Sequence, residues 1–570
     1  MKESMNRRMF IAGSFLGLAG LLIIARLFFI QVISHNYYQD LASRQHVSSY
    51  NFKTRRGNIY LRERDGGLFS AAFTKSGFLA YIDPAKLKNP RQAYDLLIEI
   101  ISRLNPEDFF KKASKKDDPF EIISRRLDNE TADKIKKLNL SGAGVLGEEW
   151  RFYPGRELAA HVIGFTGYQG DQIVGRYGVE YSQEGVLGEK KTVLEGRSTL
   201  AGIFLDWGKK IFPDVRPDYD LVLTVEPQVQ LFFEKELDKV FNKWHAELAG
   251  GVIYDPKSGR ILAMAARPAF DPNKYNEIKS LNVFVNPLIE HIYELGSVFK
   301  PLTLVSAFDA GKLKSGSVYF DSGFIDFGDK RIENYDGKGR GSVDMQHVLN
   351  ESLNTGAVFA MRRLGMDNLK KYFENFGLNK KTGVDLPGEV AGDFSNLSSR
   401  REIEYATASF GQGIAVTPLA FLRAVSALAN AGRLATPFVI ERIMADGAPD
   451  IITKPSISEP VISPESAEEM TRMLVKVVDE ALAGGSVKNE KYSIAAKTGT
   501  AEIPNPGGKG YSQDYLHSFF GYAPAYDARF SVFLFLVKPR EVRYASQSLA
   551  EPFMEIMKFL LNYYNVPPDR

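Results

Sequence analysis

Residues 250–266 read GGVIYDPKSGRILAMAA. Two apolar runs flank the turn Pro256-Lys257-Ser258-Gly259, and this pattern predicts a β-hairpin. Upstream, Pro227 to Glu247 sets Val229, Leu231, Phe232, Leu237, Val240, Phe241 and Trp244 at helical spacing. Near the carboxyl end come three more strand candidates: Tyr492 to Thr500, Leu516 to Tyr522 and Phe530 to Val537. A helix follows at about Gln547 to Tyr564. A helix-rich block, about 290–485, lies between the hairpin and the late strands. Strands from both ends around a helical middle predict one antiparallel sheet covered by helices, an α+β domain over 221–570.

The rest of the chain bounds the reading. It has 570 residues, a prior of roughly three or four domains. At 44% hydrophobic and 25% charged residues the composition is globular rather than disordered. The charge sum, 72 − 69 = +3, gives no reason to expect nucleic acid as a partner. With 0 cysteines there is no disulfide, thiolate metal site or cysteine nucleophile. The 7 histidines are scattered without an HExxH, so catalysis is expected to use neither bound zinc nor a histidine-rich site.

Met9 to Ala25 is apolar and uncharged, Arg26 interrupts, and LFFIQVI continues to Ile33. Residues 9–33 predict a single transmembrane helix, longer than the apolar core of a signal peptide. Lys2, Arg7 and Arg8 precede it, so residues 1–8 are expected in the cytoplasm and the rest outside. Arg26 can snorkel to the outer interface. Residues 36–215 read as a mixed domain. It carries the basic run TRRGNIYLRERDGG, a helical, charge-rich stretch at about 90–137, and a glycine-punctuated segment at 155–202.

Three short motifs lie in the large domain. Ser297 is the only serine in the chain with a lysine, Lys300, three positions later. PLTLVSAFDA after it is helical and stops at Gly311. Pro301 lacks an N–H and fits a first turn, which places the helix start near Ser297. Lys300 then shares a face with the hydroxyl, and a desolvated lysine can accept the serine proton. SxxK alone fits an N-cap serine followed by a solvated lysine better than a catalytic pair. The second motif is Ser352-Leu353-Asn354, between the helical stretches Val343 to Asn350 and about Thr355 to Leu364. A short loop there can aim a hydroxyl and an amide into a cleft, although Asn354 also fits as a helix N-cap. The third, Lys497-Thr498-Gly499-Thr500, ends the strand YSIAAKTGT. Lys497 and the hydroxyls of Thr498 and Thr500 can bind a substrate carboxylate, and Gly499 leaves room for a substrate backbone at an edge strand. Lys381-Thr382-Gly383 is rejected as a decoy because no apolar strand precedes it.

The order SxxK, SxN, KTG resembles the signature for which penicillin-binding proteins are the standing example. The sequence resembles a class B penicillin-binding protein, a peptidoglycan D,D-transpeptidase, over nearly its whole length. YELGSVFKPLTLVSA resembles the nucleophile segment, DPKSGRILAMAARPAFDPN the first hairpin and FGQGIAVTPLAF the stretch before the third motif. RRGNIY and GVEYSQEGVLGEKK resemble the non-catalytic pedestal. There are departures: Leu61-Arg62-Glu63-Arg64-Asp65-Gly66 stands where the family usually has Asp-Arg-Asn-Gly. Leu295 replaces a usual proline, and TPLQ appears as Thr417-Pro418-Leu419-Ala420.

The resemblance implies a pedestal (dimerisation-type) domain at 36–215 and a transpeptidase domain at 221–570 with a five-stranded antiparallel sheet packed between helices. It implies that Ser297 attacks the carbonyl between the two terminal D-alanines of a stem peptide while Lys300 takes its proton. Ser352 would relay a proton to the departing D-alanine, Asn354 would orient the donor, and the N–H groups of Ser297 and Thr500 would form the oxyanion hole. An amine of a neighbouring stem peptide would then take the acyl group. The implied partners are peptidoglycan stem peptides and their lipid-linked precursor, β-lactams, a SEDS-family glycosyltransferase and membrane proteins of the division or elongation complex. The implied place is the bacterial cytoplasmic membrane with the catalytic domain outside. No cofactor or metal is implied. The form of YELGSVFK and the compact pedestal favour division over elongation. The competing readings are a D,D-carboxypeptidase, a serine β-lactamase, a β-lactam sensor and a catalytically silent scaffold.

Overall fold

The computed structural model describes residues 52–53, 56–169, 172–188, 191–192, 219–445, 447–505, 507 and 510–570. The expected membrane span at 9–33 lies outside them. Among the described residues no helix is long and apolar enough to cross a membrane. The chain divides into two units. In the first, residues 1–55 and 189–216, the described part is an antiparallel pair, Phe52–Lys53 with Lys191–Thr192. The second, residues 56–188 and 217–570, holds the two large sheets.

The elements that position the site are, in chain order, strands β1 (Ile59–Arg62), β2 (Leu68–Ile82), β3 (Glu121–Leu127), β4 (Ala143–Phe152) and β5 (Tyr219–Leu223), then helix α1 (Pro227–Lys243). Strands β6 (Leu248–Tyr254) and β7 (Ile261–Arg267) follow, then helices α2 (Lys300–Asp309) and α3 (Asn354–Leu364). Strands β8 (Ile440–Ala445), β9 (Ala448–Ile452), β10 (Ala495–Pro504), β11 (Tyr511–Ala523) and β12 (Phe530–Val537) precede the last helix, α4 (Ala545–Tyr563).

One sheet runs β7-β6-β12-β11-β10, and every pairing in it is antiparallel. Its strands are apolar on both sides because both faces are covered. On one face Ala249, Ile253, Ala496, Phe519 and Leu534 pack with Val229, Phe233 and Leu237 of α1 and Phe553, Ile556 and Leu560 of α4. On the other, Val252, Met264, Phe520, Phe533 and Phe535 meet the helical block, including Phe299 and Phe421. Phe519 and Phe520 are neighbours that serve opposite cores, as the two-residue period of a strand requires. The Phe421 ring lies 5.8 Å from Phe520 and 5.5 Å from Phe533. Burying each such ring contributes roughly 1.5–3 kcal/mol.

The hairpin at 250–266 and the last helix form where the sequence predicts them. Strands β10 and β11 run past the third motif to Pro504 and back from Tyr511, longer than the sequence reading gave. The stretch 90–137, expected to be helical throughout, is instead three helices and a strand. Helices Pro90–Ile98 and Pro106–Ala113 start at Asn-Pro pairs whose asparagines cap them, and Asp128 caps Asn129–Lys137. EIISRRL between them is β3, half-buried against β2.

A second sheet, order β9-β8-β5-β2's partner β1, then β2 and β3, with β4 also on β2, was not foreseen. It joins strands from both sides of the expected domain boundary: β1 pairs with β5 in parallel, and β5 with β8 antiparallel. The two pedestal stretches carrying the family resemblance also meet. Glu180 accepts from Arg56 Nε at 2.8 Å, Arg151 Nε at 2.6 Å and Tyr153 OH at 3.2 Å, and Arg56 reaches Glu184 at 2.9 Å. Burial pushes the Glu180 carboxyl up, but Arg151 and Arg56 outweigh it and hold it below its ordinary range. The departing run at 61–66 lies at the same junction. Arg62 pairs with Glu441, and Arg64 donates to the carbonyl of Tyr563.

Candidate active site

Ser297 sits in a short 3-10 turn, Gly296–Phe299, that leads into α2 at Lys300. The α-helix therefore begins three residues later than the sequence reading placed it. Pro301 occupies the first turn as expected, and Gly311, at φ +66°, follows the helix end. Gly296 has φ +68° and donates to Gly411 O at 3.0 Å. A side chain at Gly411 would strike Gly296 O at 2.3 Å, so two glycines together set the turn. The Ser297 hydroxyl lines the cleft, half-buried, with no hydrogen bond among the described residues. The turn leaves its N–H without an in-helix acceptor, the usual state of a helix start.

Lys300, Ser352 and Lys497 converge on one another, and Ser352 and Lys497 line the same cleft as Ser297. Lys300 Nζ donates to the Ser352 carbonyl and lies 3.2 Å from Ser352 Oγ. Lys497 Nζ lies 2.9 Å from the same Oγ and 3.1 Å from Thr498 O. Ser352 holds this position through left-handed backbone, φ +55°, in the turn between Met345–Asn350 and α3. A non-glycine residue in that region is strained, and such strain gathers at functional sites.

Both lysines are almost wholly buried, Lys300 at 0% exposure and Lys497 at 2%. Burial first, and then repulsion from Lys497, push the Lys300 ammonium well below its ordinary value. Burial lowers Lys497 to about 7. Burial of this kind favours the neutral amine, the form able to take a proton.

The other expected residues are placed as follows. Asn354 is the first residue of α3 and not its N-cap, because the cap is Leu353 and makes no side-chain bond. Asn354 Nδ2 instead donates to Glu333 O at 2.8 Å. Lys497 does not stand as an open cation, since its Nζ is committed to Ser352 and Thr498. Gly499 serves the fold: a Cβ there would meet Ser518 Oγ at 2.4 Å and Leu295 O at 2.6 Å. Its absence lets edge strand β10 press against the Ser297 turn. Thr498 and Thr500 line the cleft, and Thr500 Oγ1 accepts from the N–H of Ala545 at 3.0 Å. The decoy is inert, with Thr382 and Gly383 bound to the Glu389 carboxylate.

Sequence reasoning missed the supports. His517, opposite Thr500 in the β10–β11 register, is fully buried between Ser548 Oγ at 2.8 Å and Arg543 O at 3.0 Å. Burial lowers its pKa to about 4. A carbonyl faces Nε2, so that nitrogen carries the proton and Nδ1 accepts from Ser548. Glu294, three residues before Ser297, accepts from Tyr511 OH at 2.9 Å. Asp321, Asn334 and Thr355 form a buried network behind α3. None of these has a local sequence signal, because each partner is distant in the chain. The whole opens into one cleft of about 1430 Å³.

A half-buried serine in a cleft with two buried lysines bridged by a second hydroxyl supplies the groups that acyl transfer of the serine type requires. Residues 249–558 match the penicillin binding protein transpeptidase domain, and residues 52–195 the penicillin-binding protein dimerisation domain. Stage V sporulation protein D of Bacillus subtilis is 31% identical over 563 residues, covering 96% of this chain and 84% of that protein. The peptidoglycan D,D-transpeptidase FtsI of Escherichia coli K12 is 29% identical over 458 residues, 79% of this chain and 73% of its own. Among solved structures, penicillin binding protein 3 of Mycobacterium tuberculosis in complex with aztreonam superposes with TM-score 0.68 at 22% identity. It covers 91% of this chain and 98% of that one. Penicillin binding protein 2X of Streptococcus thermophilus gives TM-score 0.72 at 19% identity, covering 90% and 81%, and at these identities both structures show the fold alone. The chain belongs to the class B penicillin-binding proteins.

Proposed function

We propose that the protein is a peptidoglycan D,D-transpeptidase that cross-links stem peptides through an acyl-enzyme on Ser297. The observation that carries this reading is the Ser352 hydroxyl held between Lys300 and Lys497 beside a free serine. Ser297 Oγ attacks the carbonyl of the penultimate D-alanine and its proton passes to the Lys300 amine, which burial shifts toward its neutral form. The proton moves through Ser352 Oγ, with Lys497 on its other side, to the nitrogen of the departing D-alanine as the peptide C–N bond breaks. An amine of a second stem peptide then attacks the ester, and the proton path runs in reverse to restore Ser297. Asn354 orients the donor peptide, the N–H groups of Ser297 and Thr500 hold the oxyanion, and the Thr498 and Thr500 hydroxyls meet the terminal carboxylate. A β-lactam carboxylate and carbonyl fit the same positions.

The same reading includes residues 9–33 as a single membrane anchor, an outward catalytic domain, a SEDS-family polymerase as partner and a septal role. The uncharged run Met9 to Ala25 and the basic residues before it support the anchor. Fluorescent penicillin labels the wild type, and mass spectrometry of the intact protein places one adduct on Ser297. Normal labelling of Ser297→Ala overturns the assignment. A labelled stem-peptide thioester offered with an acceptor amine separates transfer from hydrolysis, and a fluorescent fusion confined to the side wall contradicts the septal role.

A further inference from the structure

The cleft is rich in carboxylates, although Glu351 is paired with Arg340 and Glu404 with Arg401. Six glutamates line it: Glu294, Glu333, Glu351, Glu404, Glu480 and Glu502. Most of the basic groups that line it are already engaged. Arg331 is paired with Asp326 at 2.7 Å and His347 with Asp344 at 2.8 Å. Lys497 is buried and bonded to Ser352 and Thr498. Two cations remain without an ion pair among the described lining residues, Lys330 and Arg543. Lys330 begins the exposed strand Lys330–Glu333, and no side-chain bond holds it.

Arg543 is different because its backbone is fixed relative to Thr500. His517 Nε2 donates to Arg543 O at 3.0 Å, and His517 is the cross-strand partner of Thr500. Two residues on, the Ala545 N–H donates to Thr500 Oγ1 at 3.0 Å. Between them, the Tyr544 ring meets the Tyr335 ring edge-on at 5.9 Å, and both tyrosines line the cleft. The Arg543 guanidinium is exposed and packs over Tyr544, its carbon 5.5 Å from the ring centre. Because Thr500 Oγ1 already accepts a bond, its own proton is left to donate to an anion.

We propose that Arg543 is a specificity-determining residue that reads the free carboxylate at the leaving end of the acyl donor, together with the hydroxyls of Thr498 and Thr500. A guanidinium keeps its charge at any working pH and offers a planar fork that matches a carboxylate. The ligand class is an acyl donor ending in a free α-carboxylate, which a β-lactam shares. The inference rests on the reading of Ser297 as the acylated residue.

The test uses the full-length, detergent-solubilised protein and two D-alanyl thioester probes. One ends in a thioglycolate carboxylate and the other in the corresponding carboxamide. Arg543→Gln lowers the second-order acylation rate for the carboxylate probe about tenfold to a hundredfold, the range of a lost charge-assisted hydrogen bond. It changes the carboxamide rate less than about twofold, and Arg543→Lys restores part of the preference. The carboxamide probe reports on the fold of each variant, so general damage would show as equal loss on both. Equal loss, or no loss on the carboxylate probe, overturns the inference while wild-type acylation upholds the reading of Ser297 as the acylated residue. Wild-type protein that takes no acyl group on Ser297 from either probe overturns both.

Discussion

Replacing Lys497 with methionine should make the protein more stable and less active at once. The side chain is 2% exposed, and burial lowers its pKa from 10.5 to about 7. Between those values the unfolded chain binds more protons than the folded one, so folding is penalised and stability rises with pH. At 1.36 kcal/mol per pKa unit the penalty is about 4 kcal/mol at pH 7, about 2 at pH 9 and under about 1 at pH 10. Methionine has similar volume and no charge to desolvate. It gives up the bonds to Ser352 Oγ and Thr498 O, a loss of about 1 kcal/mol each. The variant should therefore gain about 2 kcal/mol at pH 7, cross the wild type near pH 9 and fall below it at pH 10. For a domain of about 350 residues the gain at pH 7 is a rise in Tm of about 3 °C. Thermal scans of both proteins from pH 7 to 10 measure it, with penicillin acylation of the same samples. Acylation should fall ~10²-fold or more as the Ser352 hydroxyl loses one of its two proton partners. A variant less stable than wild type at pH 7, or a gain that does not change with pH, refutes the reasoning.

Lys300→Ala should slow penicillin acylation ~10²–10⁴-fold, and the wild-type rate should fall only on the acid side of its pH profile, because the base must be neutral; stopped-flow labelling between pH 5 and 10, on the order of the range general bases span, reads both. Gly499→Ala forces a Cβ to within 2.6 Å of Leu295 O and 2.4 Å of Ser518 Oγ. It should cost about 1–3 kcal/mol and slow acylation by moving β10 off the Ser297 turn, and an unchanged labelling rate would contradict that packing role. Glu180→Gln leaves the buried Arg56 and Arg151 guanidiniums undercompensated and should cost about 3–5 kcal/mol in a thermal scan. Acylation per folded molecule should be unchanged.

The motif residues were legible in the sequence because local chain geometry fixes them. Ser297 and Lys300 are one turn apart, and any helix starting near Pro301 keeps them together. The apolar runs around Pro256 to Gly259 and from Phe530 to Val537 read as strands from their length, β-branched and aromatic residues and flanking turn. The 90–137 stretch was misread because its charge-rich helices hide a half-buried strand, although Asn89-Pro90 and Asn105-Pro106 marked the helix starts.

Tertiary structure decided what depends on distance through space. Ser352 meets Lys497 across 145 positions of chain, and only their joint burial turns two ordinary lysines into candidate bases. The same holds for Gly499, whose missing side chain makes room for Leu295 O. It holds for His517, whose partners Ser548 and Arg543 lie 31 and 26 residues away. The sheet that joins β1, β5 and β8 across the expected domain boundary is likewise invisible locally, since a parallel pairing leaves no turn signal between its strands. Sequence supplies the reacting groups and their local frame; desolvation, which sets their chemistry, exists only once the chain has closed around them.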